Sequence, residues 1–425
     1  MSQLLDNILS RSNMLDAYNQ VRANKGSAGI DGITIDEIDD YLRKHWLSTK
    51  ELIKQRKYKP QPVLRVEIPK PNGGVRQLGI PTVMDRMIQQ AIVQVISPIC
   101  EPYFSEKSYG FRPNRSCEQA VIQLLEYLND GYEWIVDIDL EKFFDTVPQD
   151  RLMSLVHNII QDGDTESLIR KYLHSGVVIN GHRYKTLVGT PQGGNLSPLL
   201  SNIMLNELDK ELENRGLRFV RYADDCVITV GSEAAAKRVM HSISRYIEKR
   251  LGLKVNMTKT KIVRPSKLKY LGFGFWKSSE GWKSRPHQDS VQSFKRKLKK
   301  LTARKWSIDL DNRIERLNWV IRGWINYFSM TNMKSVMESI DERLRTRIRV
   351  IIWKQWKKKS RRLWGLLKLG VPKWIADKVS GWGDHYQLVA QRSVLKRAIS
   401  KPVLAKRGLV SCLDYYLKRH ALKVS

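Results

Sequence analysis

The run Ile135-Val136-Asp137-Ile138-Asp139-Leu140 restricts this chain more than any other feature. It is β-prone, and the two-residue period of a strand puts Asp137 and Asp139 on one face and Val136, Ile138 and Leu140 on the other. Two acids on one face of a central strand are costly to bury unless a cation neutralises them. A second acidic pair, Asp224-Asp225, interrupts the β-prone stretch Phe219–Val230 and falls at the tip of a hairpin. Read alone, that pair is equally an ordinary turn, because Asp is common in turns. Strand alternation does not by itself aim both tip acids at Asp139.

If the carboxylates do converge, they are hard oxygen ligands suited to Mg²⁺, and three of them can hold two ions. Such a pair serves in-line phosphoryl transfer. Other metal chemistry has little to work with. Cys100, Cys117, Cys226 and Cys412 lie far apart, and the eight histidines are scattered. No Cys-rich metal site, redox centre or disulfide framework is therefore expected.

The partner is read from charge. Lys plus Arg number 74 against 43 acids, a formal net charge of +31. So large an excess is self-repelling and points to a polyanion, most simply nucleic acid. A membrane partner is not expected, since no run of about 18 apolar residues occurs. The start Met1-Ser2-Gln3-Leu4-Leu5-Asp6 has the pattern of neither a secretory signal nor a transit peptide. The expected location is the bacterial cytoplasm.

Along the chain, a mostly helical start is broken by the turn-forming Gly26–Gly32. A hairpin is predicted over 63–80 about Pro71-Asn72-Gly73-Gly74, and an extended pair about Asn180-Gly181. Helices are predicted over 85–99, 117–128, 198–215 and 233–251, strands over 134–140, 219–230, near 255 and over 269–275. Beyond about Arg285 the pattern becomes long basic helices with interleaved Trp.

Several motifs resemble one family. Tyr222-Ala223-Asp224-Asp225 is similar to the signature of reverse transcriptases, and Asp139, followed five residues later by Phe144, resembles their first catalytic motif. The stretch Gly189-Thr190-Pro191-Gln192-Gly193-Gly194-Asn195-Leu196-Ser197-Pro198-Leu199-Leu200 resembles their palm loop. Order and spacing agree over most of the chain, and the wording is most similar to bacterial group II intron-encoded reverse transcriptase/maturases. The resemblance implies an α+β right-hand polymerase fold, with fingers and palm on antiparallel sheet and an α-helical thumb/maturase domain after them. The implied boundaries are an N-terminal extension at 1–62, fingers at 63–135, palm at 136–284, thumb/maturase at 285–370 and a basic DNA-binding-like domain at 371–425.

The resemblance also implies roles. Asp139, Asp224, Asp225 and the carbonyl of Leu140 would ligate two Mg²⁺ ions, with Mn²⁺ as a substitute, and Asp137 would be a supporting acid. Phe144 would exclude a ribose 2′-hydroxyl, a purely steric task, and its neighbour Phe143 would be core. Lys70 and Arg76 would grip the triphosphate of a dNTP, and Gln192 would touch nucleotide or template. Lys259 would be a general acid for pyrophosphate departure, or else part of a solvated basic strand. Leu271, Gly272, Phe273 and Gly274 would form the primer grip, though aromatics at alternate positions also suit a core. Arg112 would order the fingers near the template, and Asn24–Gly32 would form a lid over it.

Between 343 and 373 the chain carries Arg343, Arg345, Arg347, Arg349, Lys354, Lys357, Lys358, Lys359, Arg361, Arg362, Lys368 and Lys373 and no acid. Arg343, Arg347, Lys357, Lys358, Lys359, Arg361 and Arg362 are taken from it as nucleic-acid contacts. The aromatics of 322–328 fit a helix core better than stacking platforms. The chain ends at Ser425 without the Cys/His endonuclease module of many intron proteins, which makes it similar to the group IIC-like branch. The implied partners are an RNA template with a DNA primer, dNTPs, intron RNA and target DNA. The implied function is RNA-directed DNA synthesis together with help in splicing and retrohoming. Two alternatives stay open: a splicing maturase with incidental polymerase activity, and a domesticated or defence-associated reverse transcriptase.

Overall fold

A computed structural model describes residues 2–69, 73–191, 193–383 and 385–424. Lys70 and Gln192, two of the expected nucleotide contacts, lie outside the described residues. The chain divides into two compact units, Met1–Pro265 and Ser266–Ser425. No helix among the described residues is long and apolar enough to cross a membrane.

The first unit contains β1 (Val63–Pro69), β2 (Val75–Ile80), β3 (Trp134–Ile138), β4 (Val177–Ile179), β5 (His182–Tyr184), β6 (Arg218–Tyr222), β7 (Asp225–Val230) and β8 (Lys261–Val263). They form two four-stranded sheets, ordered β2-β1-β4-β5 and β6-β7-β3-β8. The expected hairpin over 63–80 is present, in register from Leu64↔Ile80 to Pro69↔Val75. The Asn180-Gly181 turn has φ +50° and +83°. Two successive positive φ values make the primed turn that suits a right-twisted hairpin. Through β4 this small hairpin joins β1 in parallel, pairing Val63 with Val177. That long-range pairing left no mark in the local pattern.

The second sheet is antiparallel throughout, with β3 between β7 and β8. Val136 and Ile138 face the main core, where Leu200, Ile203, Met204 and Leu205 of the Ser197–Asn214 helix also lie. The Val83–Cys100 helix is the spine of that core. Ile88, Ala91, Ile92 and Ile96 have no exposure, and Thr82 caps its start by accepting from the amide of Asp85 at 3.1 Å.

The second unit opens with a three-stranded sheet of β9 (Lys269–Tyr270), β10 (Phe273–Ser278) and β11 (Gly281–Pro286). Helices follow, chief among them Gln288–Leu301, Leu310–Phe328, Lys334–Gln355 and Cys412–Val424. The division at Pro265 precedes the compositional shift read near Arg285, because the sheet packs onto these helices. Phe273 meets Phe328 at 4.8 Å, and Trp324 stacks on Phe294 at 4.5 Å. Of the aromatics of 322–328, Phe328 is thus core, Trp324 is half-buried against Phe294, and Tyr327 is exposed. A second core surrounds the fully buried Trp353, with Leu366, Ala376, Val379 and Leu395. Asp341 ties the last helix to this unit by accepting from the amides of Cys412 (2.7 Å) and Leu413 (3.2 Å).

Truncating the largest of these buried side chains tests the packing. Trp353→Ala should cost about 3–5 kcal/mol of unfolding free energy, read as a lowered urea midpoint. A loss under about 1 kcal/mol would mean that Trp353 is not closely packed.

Candidate functional site

The β3–β7 register, ending at Ile138↔Cys226, sets Asp225 alongside Asp139 one residue further on, and the pair Tyr222↔Asp225 closes the β6–β7 hairpin. Tertiary pairing thus supplies what strand alternation left open. The backbone of Asp139 is clamped on its far side. Its amide donates to Thr260 Oγ1 at 3.1 Å, and its carbonyl accepts from the amide of Asn256 at 2.8 Å. Leu140 forms a β-bridge with Val255.

The acids feel one another. Partial withdrawal from water, then the negative charges of Asp224, Asp137 and Asp139, push the carboxyl of Asp225 up to about 6, although its side chain still meets solvent. Burial likewise raises Asp224. Its own amide opposes the rise, the charge of Asp139 adds to it, and Arg76 and Arg221 oppose it. Burial raises Asp137, which Lys261 offsets with Nζ 3.6 Å from its carboxylate. Lys259 Nζ stands 3.8 Å from Asp139 Oδ2, so the structure brings this expected residue to the acids. Lys261 was not expected. Its place beside Asp137 on the paired strand β8 follows from register alone.

Crowded carboxylates with raised proton affinity and no His or Cys among them are a donor set that fits a hard divalent cation. Among the described residues no three His, Cys, Asp or Glu side chains already stand in a metal-holding group.

A few residues along the chain from Asp139, Lys142 and Phe144 line a cavity of about 300 Å³, together with Arg65, Gln77 and Gly79 of the first hairpin and with Gly189 and Thr190. Lys142, at φ +47°, turns the chain after β3 so that Phe143 enters the core while Phe144 faces the cavity. The loop opposite approaches backbone to backbone. The amide of Thr190 donates to the Phe144 carbonyl at 2.6 Å, and a Cβ on Gly189 would lie 2.7 Å from that same oxygen. Gly193, at φ +117°, has the same relation to the Gly79 carbonyl, again 2.7 Å. Arg65 was missed from sequence. It donates to Gln77 Oε1 at 3.1 Å and stands 3.9 Å from Asp145 on the cavity wall.

Three of the expected nucleic-acid contacts are corrected. Arg112 is buried, with its guanidinium donating to Glu101 and to the carbonyls of Ser105 and Ser108. Arg347 donates to Thr302 Oγ1 and to the carbonyls of Lys299 and Thr302, closing the end of a helix. Arg362 is buried on Trp353 and donates to the carbonyls of Trp356 and Trp382. Guanidinium forks are well suited to carbonyls at helix ends, and composition cannot separate that use from phosphate binding. Arg343, Lys357, Lys358, Lys359 and Arg361 are exposed. Leu271 (φ +49°) and Gly272 (φ +82°) form the turn between β9 and β10, where Phe273 is buried. Their carbonyls are taken by the Tyr327 hydroxyl (2.9 Å) and by the amide of His287 and Ser290 Oγ (2.9 Å each). Gly274 packs against His287. In the N-terminal extension, the loop at 26–29 packs on Thr82 and Arg86.

Residues 68–275 match the family profile "Reverse transcriptase (RNA-dependent DNA polymerase)", and residues 291–370 match "Group II intron, maturase-specific domain". Protein YkfC of Escherichia coli (strain K12) is 34% identical over 272 residues, covering 55% of this chain and 71% of that protein. The group II intron-encoded protein LtrA of Lactococcus lactis subsp. cremoris is 37% identical over 232 residues, 54% of this chain and 38% of LtrA. The putative COX1/OXI3 intron 2 protein of Saccharomyces cerevisiae is 32% identical over 336 residues, 65% of this chain and 39% of that protein. The chain therefore spans well under half the length of these last two relatives.

The crowding of acids has a pH signature. A carboxyl raised from 3.8 to about 6 in the folded chain favours the fold while protonated. Its support is present below the lower value and lost as pH rises through the upper one. Without divalent cation, the thermal midpoint of wild type relative to Asp225→Asn should fall across that window. A flat difference curve in calorimetry would contradict the combined burial and crowding of this carboxyl.

Proposed function

The chain belongs to the group II intron-encoded reverse transcriptase/maturase family, and on that footing we propose that it copies RNA into DNA and binds intron RNA to assist splicing and retrohoming. Its substrates are an RNA template with a DNA primer and dNTPs, and target DNA is a further partner. The observation that carries this reading is the strand register that sets Asp225 alongside Asp139 at one end of a sheet, with Asp224 at the hairpin tip close enough to feel the charge of Asp139.

Asp139, Asp224 and Asp225, with the Leu140 carbonyl, would hold the cations, and Asp137 with Lys261 supports their backbone from the same sheet. Mg²⁺ bound there, or Mn²⁺ in its place, supplies activation of the attacking oxygen and stabilisation of the leaving one. Arg76, near enough to lower the proton affinity of Asp224, grips the triphosphate together with Lys70. Phe144 fills the space that a ribose 2′-hydroxyl would need. Gln192 contacts nucleotide or template. Lys259, with Nζ 3.8 Å from Asp139, supplies the proton that the departing pyrophosphate requires. The 271–274 turn supports the primer through backbone shape, since its carbonyls already have partners. The exposed cations at 357–361 bind phosphates of intron RNA.

Extension of a DNA primer on an RNA template with Mg²⁺ and dNTPs is the test. Asp224→Ala should lower the rate roughly 1000-fold or more. Product from neither protein, with RNA still bound, would leave an RNA-binding splicing protein instead. Phe144→Ala should reduce discrimination against ribonucleotides by roughly 10- to 100-fold, read from competing single-nucleotide incorporation. An unchanged ratio removes Phe144 from that role. Replacing Lys357, Lys358 and Lys359 by Gln should flatten the log–log salt dependence of single-stranded RNA binding by about 2. An unaltered slope would put those lysines outside the RNA surface.

A further inference from the structure

The hairpin that carries Asp224 and Asp225 turns on one peptide, Ala223–Asp224, and Ala223 sits at φ +56°. A residue with a Cβ occupies that left-handed region only at a cost of about 1–2 kcal/mol, so its surroundings must impose it. Two contacts do so. The first is Arg221, two residues earlier on the same strand end. Its Nη1 donates to the Ala223 carbonyl at 2.9 Å and to Asn202 Oδ1 at 3.0 Å. Its Nε and Nη2 donate as a fork to Asp209 Oδ1 and Oδ2 at 2.7 and 2.5 Å. Neither side chain of the Arg221–Asp209 pair has any exposure.

The second contact is the backbone of Gly110, so close that a Cβ there would lie 2.3 Å from the Ala223 amide nitrogen. Asn202 joins the two, because its Nδ2 donates to the Gly110 carbonyl at 2.8 Å. Asn202 and Asp209 both stand on the Ser197–Asn214 helix. That helix therefore holds the hairpin tip by way of one guanidinium.

A wholly buried ion pair is weak evidence for stability, since apolar replacements of like volume are often as stable. Here the fork is committed to the helix, and the remaining terminal nitrogen reaches the central carbonyl of the turn. Rotation of that peptide would swing the Asp224 side chain away from Asp139. A lysine ammonium is a single point and cannot span Asp209, Asn202 and Ala223 together.

We propose that Arg221, anchored on Asp209 and Asn202, is a positioning residue for the carboxylate site: it sets the Ala223–Asp224 peptide and so aims Asp224 and Asp225 at a shared divalent cation. This rests on the reading that those acids hold cations.

The full chain would be titrated with Mn²⁺ alone, following free Mn²⁺ by electron paramagnetic resonance, with Asp224→Asn defining binding at the site. Arg221→Lys and Asp209→Asn should each raise the half-saturating Mn²⁺ concentration roughly tenfold. The double variant should be no worse than the weaker-binding single, since both act through one contact. Primer extension should then show its loss mainly at low Mn²⁺ and recover within a few-fold at saturation, a split that general destabilisation does not produce. Asn202→Ser leaves the ion pair intact and should give a smaller shift in the same direction, which decides the matter if the other variants do not fold. Variants that melt earlier yet bind Mn²⁺ within twofold of wild type overturn the proposal. Wild type that binds no Mn²⁺, or binds it equally after Asp224→Asn, overturns the cation reading and the proposal with it.

Discussion

Repulsion among Asp137, Asp139, Asp224 and Asp225 is the condition that the rest of the first unit answers. Left to themselves, carboxylates this near would separate or take up protons, and at Asp225 burial first and these neighbouring charges second raise the proton affinity. They stay because the strands beneath them have no freedom to move. Val136, Ile138 and Ile228 are buried in the main core, and β3 is bonded on both edges. Cations stand round the acids without quenching them: Lys259 and Lys261 at 3.8 and 3.6 Å, and Arg76 within range of Asp224.

The cavity that Phe144 lines is shaped by absent side chains as much as by present ones. Gly189 and Gly193 lie close against the Phe144 and Gly79 carbonyls, and Gly189, Gly79 and Phe144 all line the cavity. Gly110 makes a similar approach to the hairpin that carries Asp224 and Asp225. At each of these places a methyl group would collide with backbone, which cannot yield as the end of a flexible side chain can.

The positive charge of the chain is divided by chemistry. Arg112, Arg221, Arg313, Arg349 and Arg362 are buried, and each spends its guanidinium on carbonyls or carboxylates inside the protein. Lys357, Lys358 and Lys359 stay in water. A planar fork can satisfy several internal acceptors at once, whereas a strongly hydrated ammonium is costly to bury. A formal charge of +31 therefore overstates the surface left for a polyanion.

Local pattern was enough for the 63–80 hairpin, the Asn180-Gly181 turn, the acidic strand and the helical second half, because each is written in neighbouring residues. Motif wording was enough for the family, and it singled out Asp139, Asp224, Asp225 and Phe144 as the candidate residues. It could not show that Asp225 stands beside Asp139, that β4 joins β1, or that Arg65 and Lys261 belong to the site. Those facts are pairings between residues far apart in the chain, and only register decides them. Nor could it tell Arg112, Arg347 and Arg362 from Lys357, since an inward guanidinium and an outward ammonium are both simply basic residues until a carbonyl is brought within reach. The sequence by itself determined which chemistry the chain carries; the tertiary structure decided which residues share in it, because distance between remote residues is set by packing and not by order along the chain.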